Sequence, residues 1–171
     1  MSLSKERQQE IDDVIKTKLI LIDKSYPENN ILEIVKEFGI KVYVTCFSEI
    51  DGMTGVCGVI NNETAEIYLN KEHSKVRNTF TLAHELGHFF LHKDPSLKFR
   101  VDKCLENNSE EIEANYFAAS FLVPKEKLLL ILRETKNIPA IAQYFAVSED
   151  VIKIIVKHLI FCDNYYIYSH S

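Results

Sequence analysis

In the run Thr81-Leu-Ala-His84-Glu85-Leu-Gly-His88, two histidines stand four residues apart and a glutamate follows the first. Residues four apart on a helix share a face, so both imidazoles can reach one ion. Neutral imidazole is a good zinc ligand. Glu85 lies one step round from His84, where it can sit beside the metal and take a proton from water without being a ligand. Phe80, Leu82, Ala83, Leu86, Phe89 and Phe90 surround the motif. Two imidazoles and a carboxylate in such company are costly unless something satisfies them. The pattern points to metal-assisted hydrolysis.

A hydrolytic zinc needs three protein ligands and one open position. The extended pattern H-E-x-x-H-x-x-G-x-x-H is absent, because position 94 is Asp94. The next acidic cluster is Glu110-Glu111-Ile-Glu113-Ala-Asn115. Glu111 and Asn115 share a helical face. Glu111 could then ligate while Asn115 orients a ligand histidine through its free N–H. Glu113 lies about 200° round from Glu111, so both cannot be ligands. Glu110 and Glu113 read as solvated first-turn acids that suit the helix dipole. Cys104 is a softer rival for the third position.

Other candidates have both a chemical and a plain reading. His92 sits one turn beyond His88 and could touch the metal face, but a surface or capping role in the last turn is the preferred reading. His158, Tyr116 and Tyr144 could stabilise an oxyanion. A partly exposed structural histidine and aromatic core are the commoner fates of such residues.

These residues need elements to hold them. Apolar spacing predicts a helix over residues 5–23, and a second opened by Pro27 and closed by Gly39. Alternation at Ile40, Val42 and Val44 predicts a strand. Residues 54–60 and 65–69 read as a hairpin joined at Asn61-Asn62. Ser74 is a fitting N-cap for a helix over residues 74–92. Residues 93–108 read as loop. A helix follows from Ser109 to about Val123, where Pro124 stops it. The order predicts an α+β fold with helices packed on one small antiparallel sheet. Residues 1–124 would form the core, and residues 125–171 a tail of short helices packed on it. The segment Tyr165-Tyr-Ile-Tyr168 reads equally as a terminal strand or as disorder.

Bulk properties set limits. The 171 residues suit one domain, and 46% hydrophobic content suffices for a core. A net charge of −5 does not favour general attraction to nucleic acid or anionic lipid. No run approaches ~20 apolar residues, and the N-terminus has no apolar signal region, so a cytoplasmic protein is expected. The four cysteines form no C-x-x-C pair and read as reduced thiols.

The segments Arg77-Asn-Thr-Phe80-Thr-Leu-Ala-His84-Glu-Leu-Gly-His88-Phe-Phe-Leu-His92 and Glu111-Ile-Glu-Ala-Asn115-Tyr-Phe-Ala118-Ala-Ser-Phe-Leu-Val-Pro124 resemble the signature of the ImmA/IrrE metallopeptidase family. The resemblance runs from about Val35 to Leu159. It implies a zincin-like fold of the glutamate-ligand type, with Glu111 as third zinc ligand. It also implies a cytoplasmic protease acting on helix-turn-helix repressors, often encoded beside it on mobile genetic elements. The sequence departs from the family pattern at Thr79 and Ile155, where basic residues are common, and at Ile160, where glycine is usual. Its length leaves no room for the sensor-like domain of longer relatives. That favours the compact, repressor-cleaving type.

The tail itself resembles a helix-turn-helix from Ile138 to Ile152. Its second helix offers Glu149, Asp150, Lys153 and Lys157 with apolar residues between. A DNA-reading helix brings more basic and amide residues, so docking of a protein partner is the preferred expectation. Three functions remain open. One is a zinc endopeptidase with a protein substrate lying along a strand edge. The others are a non-catalytic module that sequesters a regulator, and a DNA-binding regulator with a structural metal. An intact Glu85 favours the first.

Overall fold

The computed structural model describes residues 3–49, 53, 55–92, 98–101 and 108–162. Cys104 and the segment 165–168 lie outside them. Helices α1 (Lys5–Ile22) and α2 (Ile31–Glu37) lead into strand β1 (Lys41–Thr45) and a short 3-10 turn, Phe47–Glu49. Strands β2 (Val56–Asn61) and β3 (Glu66–Asn70) precede helix α3 (Lys75–Leu91). Strand β4 (Lys98–Val101) and helix α4 (Ser109–Leu122) follow, then α5 (Lys125–Glu134), α6 (Ile138–Tyr144) and α7 (Glu149–Cys162).

Local chemistry sets most boundaries. Ser4, Asn30, Ser74, Asn108 and Asn137 each accept a backbone N–H with the side chain, satisfying one orphan donor of the following helix. The second helix therefore starts at Ile31 behind its cap Asn30, and Pro27 lies in the preceding turn. Gly39 ends it with φ +73°, a conformation that costs glycine nothing. Between β2 and β3, the Asn61 side chain accepts from the N–H groups of Glu63 and Thr64 and holds the turn.

The sheet is mixed, not wholly antiparallel. Its order is β1-β3-β2-β4; β1 runs parallel to β3, while β2 is antiparallel to both β3 and β4. The sequence pattern points to an antiparallel sheet, but sequence neighbours need not be sheet neighbours. Here the hairpin partner β3 takes the place next to β1, and β2 lies on the far side of β3. Stacking of Tyr43 on Tyr68, with centroids 5.2 Å apart, accompanies that parallel pairing. Strand β4 also lies inside the stretch expected to be loop.

Helix α3 packs on one sheet face, where Ile60, Ile67 and Leu69 join the main core with Leu82 and Leu86. Phe47, Val56 and Val59 form a smaller cluster. The main core continues through Phe117 and Phe121 of α4 to Leu128, Ile141 and Ile152 of the last three helices, and to Phe145, which caps α6. Each such buried side chain contributes about 1.5–3 kcal/mol by leaving water.

Candidate metal centre

Two glycines govern how closely the elements around His84 approach. At Gly58 of β2, a Cβ would meet Thr81 Cγ2 at 2.4 Å, so only glycine lets the strand lie this near α3. At Gly87, inside the motif, a Cβ would meet Phe117 Cδ1 at 3.1 Å and Ala114 Cα at 3.2 Å. The α3–α4 crossing is therefore tight, and it carries Glu111 up to the two histidines.

His84, Glu85 and His88 are 0%, 0% and 1% exposed. Glu111 Oε2 lies 3.3 Å from His84 Nε2, and Glu111 Oε1 lies 3.1 Å from His88 Nε2. The two Nε2 atoms are 3.0 Å apart. One donor atom from each of the three residues falls within 4.8 Å of the others. Burial by itself would raise the Glu111 carboxyl, but hydrogen bonds and charge from His84 and His88 outweigh it and hold it well below the usual carboxylate range. Two imidazoles and one ionised carboxylate, converging from two helices, suit a divalent ion of the zinc type. The same donors accept other divalent ions as well.

The outward nitrogens of both rings are engaged. His84 Nδ1 lies 3.0 Å from Asn115 Oδ1. An amide oxygen can only accept, so the ring proton sits on Nδ1 and Nε2 is left with its lone pair toward the site. His88 Nδ1 lies 2.9 Å from Nδ1 of His92. His92 is 8% exposed, and its Nε2 lies 3.2 Å from Glu113 Oε2. Glu113 in turn accepts from Arg7 Nη2 at 2.6 Å. His92 and Glu113 thus correct the plain surface readings given to them. Glu113 does point away from Glu111, but toward His92 and α1 and not into solvent. The i, i+4, i+8 spacing of His84, His88 and His92 was the signal for this arrangement. Arg7 gave none.

Tyr116 and His158 come together elsewhere. Tyr116 lies about 140° round α4 from Glu111 at ~100° per residue. Its hydroxyl donates to Asp12 at 3.2 Å, and its ring meets His158 edge-on at 4.8 Å. Burial, then the charge of Lys157, pushes the His158 imidazole below its ordinary value. Burial pushes the Asp12 carboxyl up, against the hydrogen bonds from Tyr116 and Ser120. Tyr144 is exposed and packs edge-on against Phe145. On α7, Lys153 pairs with Asp150 at 2.9 Å, and Lys157 is exposed.

The IrrE N-terminal-like domain family of peptidases matches residues 35–156. The chain is similar to Metallopeptidase ImmA of Bacillus subtilis (strain 168), with 28% identity over 161 residues, 92% of each chain. Its fold resembles the solved structure of a Mycobacterium tuberculosis transcriptional regulator, with a TM-score of 0.53 and 14% identity. That match covers 87% of this chain and 46% of the other, so this chain spans less than half of that regulator.

Proposed function

Because the chain belongs to the ImmA/IrrE metallopeptidase family, we propose that it is a zinc-dependent endopeptidase of zincin-like fold and glutamate-ligand type. The convergence of His84, His88 and Glu111 within 4.8 Å carries this reading. These three residues would hold the zinc. When bound there, zinc supplies Lewis acidity that polarises a peptide carbonyl and lowers the pKa of water. Glu85, adjacent to His84 and fully buried, takes a proton from the attacking water and passes it to the leaving amine. Asn115 keeps the His84 ring in the ligating tautomer.

The substrate is a protein, bound as an extended segment along the outer edge of β4. Arg100 of β4 pairs with Gly58 of β2, and Gly58 lies against Glu85. An added strand would sit about 4.8 Å beyond β4, with its backbone hydrogen-bonded to the edge. We assign the substrate class as a helix-turn-helix repressor in the cytoplasm. The tail over residues 125–171, with Lys153 and Lys157 exposed on α7, would supply the docking surface. No helix among the described residues is long and apolar enough to cross a membrane.

The test is incubation of the purified, zinc-loaded protein with any helix-turn-helix repressor found encoded beside it, followed by fragment mapping by mass. One or two cuts that vanish with Glu85→Gln are expected. Rapid breakdown of casein with the repressor left intact would sink the assignment.

A further inference from the structure

The hydrogen bonds leaving the metal centre continue through His88, His92 and Glu113 to Arg7. Their direction follows from counting protons. With Nε2 of His88 turned to an ion, its Nδ1 carries the proton and donates to Nδ1 of His92, 2.9 Å away. A neutral His92 then bears its proton on Nε2, which donates to Glu113 Oε2 at 3.2 Å. The same oxygen accepts from the Arg7 guanidinium at 2.6 Å. Every link has one donor and one acceptor. A second branch of Arg7 donates to Glu10 at 2.8 Å and fixes the guanidinium on α1.

His84 is oriented in one step by Asn115, from the helix that also supplies Glu111. His88 is oriented through three residues ending in a cation that lies 106 positions from Glu113. Arg7 also lies outside residues 35–156, which match the family. We propose that His92, Glu113 and Arg7 form a positioning relay that makes the first helix a working part of the metal centre, fixing the ring angle and tautomer of His88. This rests on the zinc-binding reading of His84, His88 and Glu111.

The relay is tested by titrating metal-free protein with zinc against a chromogenic chelator, alongside the thermal midpoint of each metal-free variant. His92→Leu should weaken zinc binding about 10–100-fold, the usual consequence of losing a partner of a ligand histidine. Arg7→Met and Glu113→Gln should weaken it less but measurably. Arg7→Lys should recover part of the loss, since lysine supplies the charge without the planar fork. The double variant Arg7→Met/His92→Leu should bind no more weakly than His92→Leu, because the links act in series. A merely structural role would lower the metal-free midpoint and leave zinc affinity unchanged. Wild-type affinity in both Arg7→Met and Glu113→Gln overturns the relay, and these two decide if His92→Leu does not fold. A wild-type protein that takes up no zinc overturns the metal reading and the relay together.

Discussion

Gly58 and Glu85 meet where strand β2 crosses helix α3: a Cβ on Gly58 would stand 3.0 Å from Glu85 Oε1 and 2.4 Å from Thr81 Cγ2. The strand therefore forms one wall around the carboxylate. Gly58→Ala should destabilise the fold by about 1–3 kcal/mol, the usual cost of overpacking. Peptidase activity should fall with it. Thr81→Ser removes the nearest obstructing carbon and should recover part of the loss in the double variant. Chemical denaturation of the single and double variants measures this; additive losses would show that the clash is not the cause.

Gly87→Ala should behave differently. Mid-helix alanine is intrinsically better than glycine by roughly 0.5–1 kcal/mol. Here the added methyl faces Ala114 Cα at 3.2 Å, which is backbone and cannot rotate aside. The expected result is a net loss of stability together with weaker zinc binding, since α4 carries Glu111. Gly58→Ala should leave zinc affinity nearer the wild-type value. Zinc titration of both variants distinguishes the two walls, and equal affinities would remove the distinction.

His84→Ala or His88→Ala should abolish stoichiometric zinc binding, and Glu111→Ala should weaken it strongly, because three protein ligands are the minimum for such a site. Glu85→Gln should retain one zinc per chain and lose about 10²–10⁴-fold in turnover. Metal analysis and cleavage assays on the same preparations check both statements. Unchanged affinity in Glu111→Ala would move the third ligand elsewhere, with Cys104 examined next.

His158 offers a prediction away from the metal. Its folded-state pKa is depressed, first by burial and then by Lys157. The unfolded chain therefore binds its proton more readily, and stability rises with pH across that interval. The contribution is full above about pH 6.5, the unfolded value, and is lost as pH falls through the folded one. His158→Phe keeps an aromatic ring against Tyr116 and removes the titration. In metal-free protein, the wild-type midpoint should drop more steeply below pH 6.5 than that of His158→Phe. Parallel curves would contradict the assignment.

Local features of the sequence reported local structure well. Ser74 and Gly39 mark helix ends because a cap is decided within four residues. The grouping of His84, His88 and Glu111 was legible because each helix carries its face at ~100° per residue. The hairpin from Val56 to Asn70 announced itself at Asn61-Asn62. The parallel pairing of β1 with β3 did not, since no nearby residue records which distant strand lies alongside. Glu113 was misjudged for a related reason. Its direction away from Glu111 was correct, but the occupants of that side, His92 and Arg7, come from other helices. The glycines at 58 and 87 carry no chemistry of their own, and their purpose appears only when the elements they separate are seen together.

The bond between Arg7 and Glu113 also says something about the order of events during synthesis. A chain emerges from the ribosome N-terminus first, while this contact joins its first helix to one made more than a hundred residues later. The Tyr26 hydroxyl waits still longer for the Phe145 carbonyl, 119 residues on and 2.8 Å away in the finished fold. Closing such long intervals is slow in comparison with forming helices. The early segments therefore lack their final neighbours until the second half of the chain arrives. For a protein whose centre would cut other proteins, the delay has a protective side. Until Glu111 has been added, the nascent chain carries His84, Glu85 and His88 without their third ligand or the Arg7 contact, so that stage of synthesis has no complete metal site.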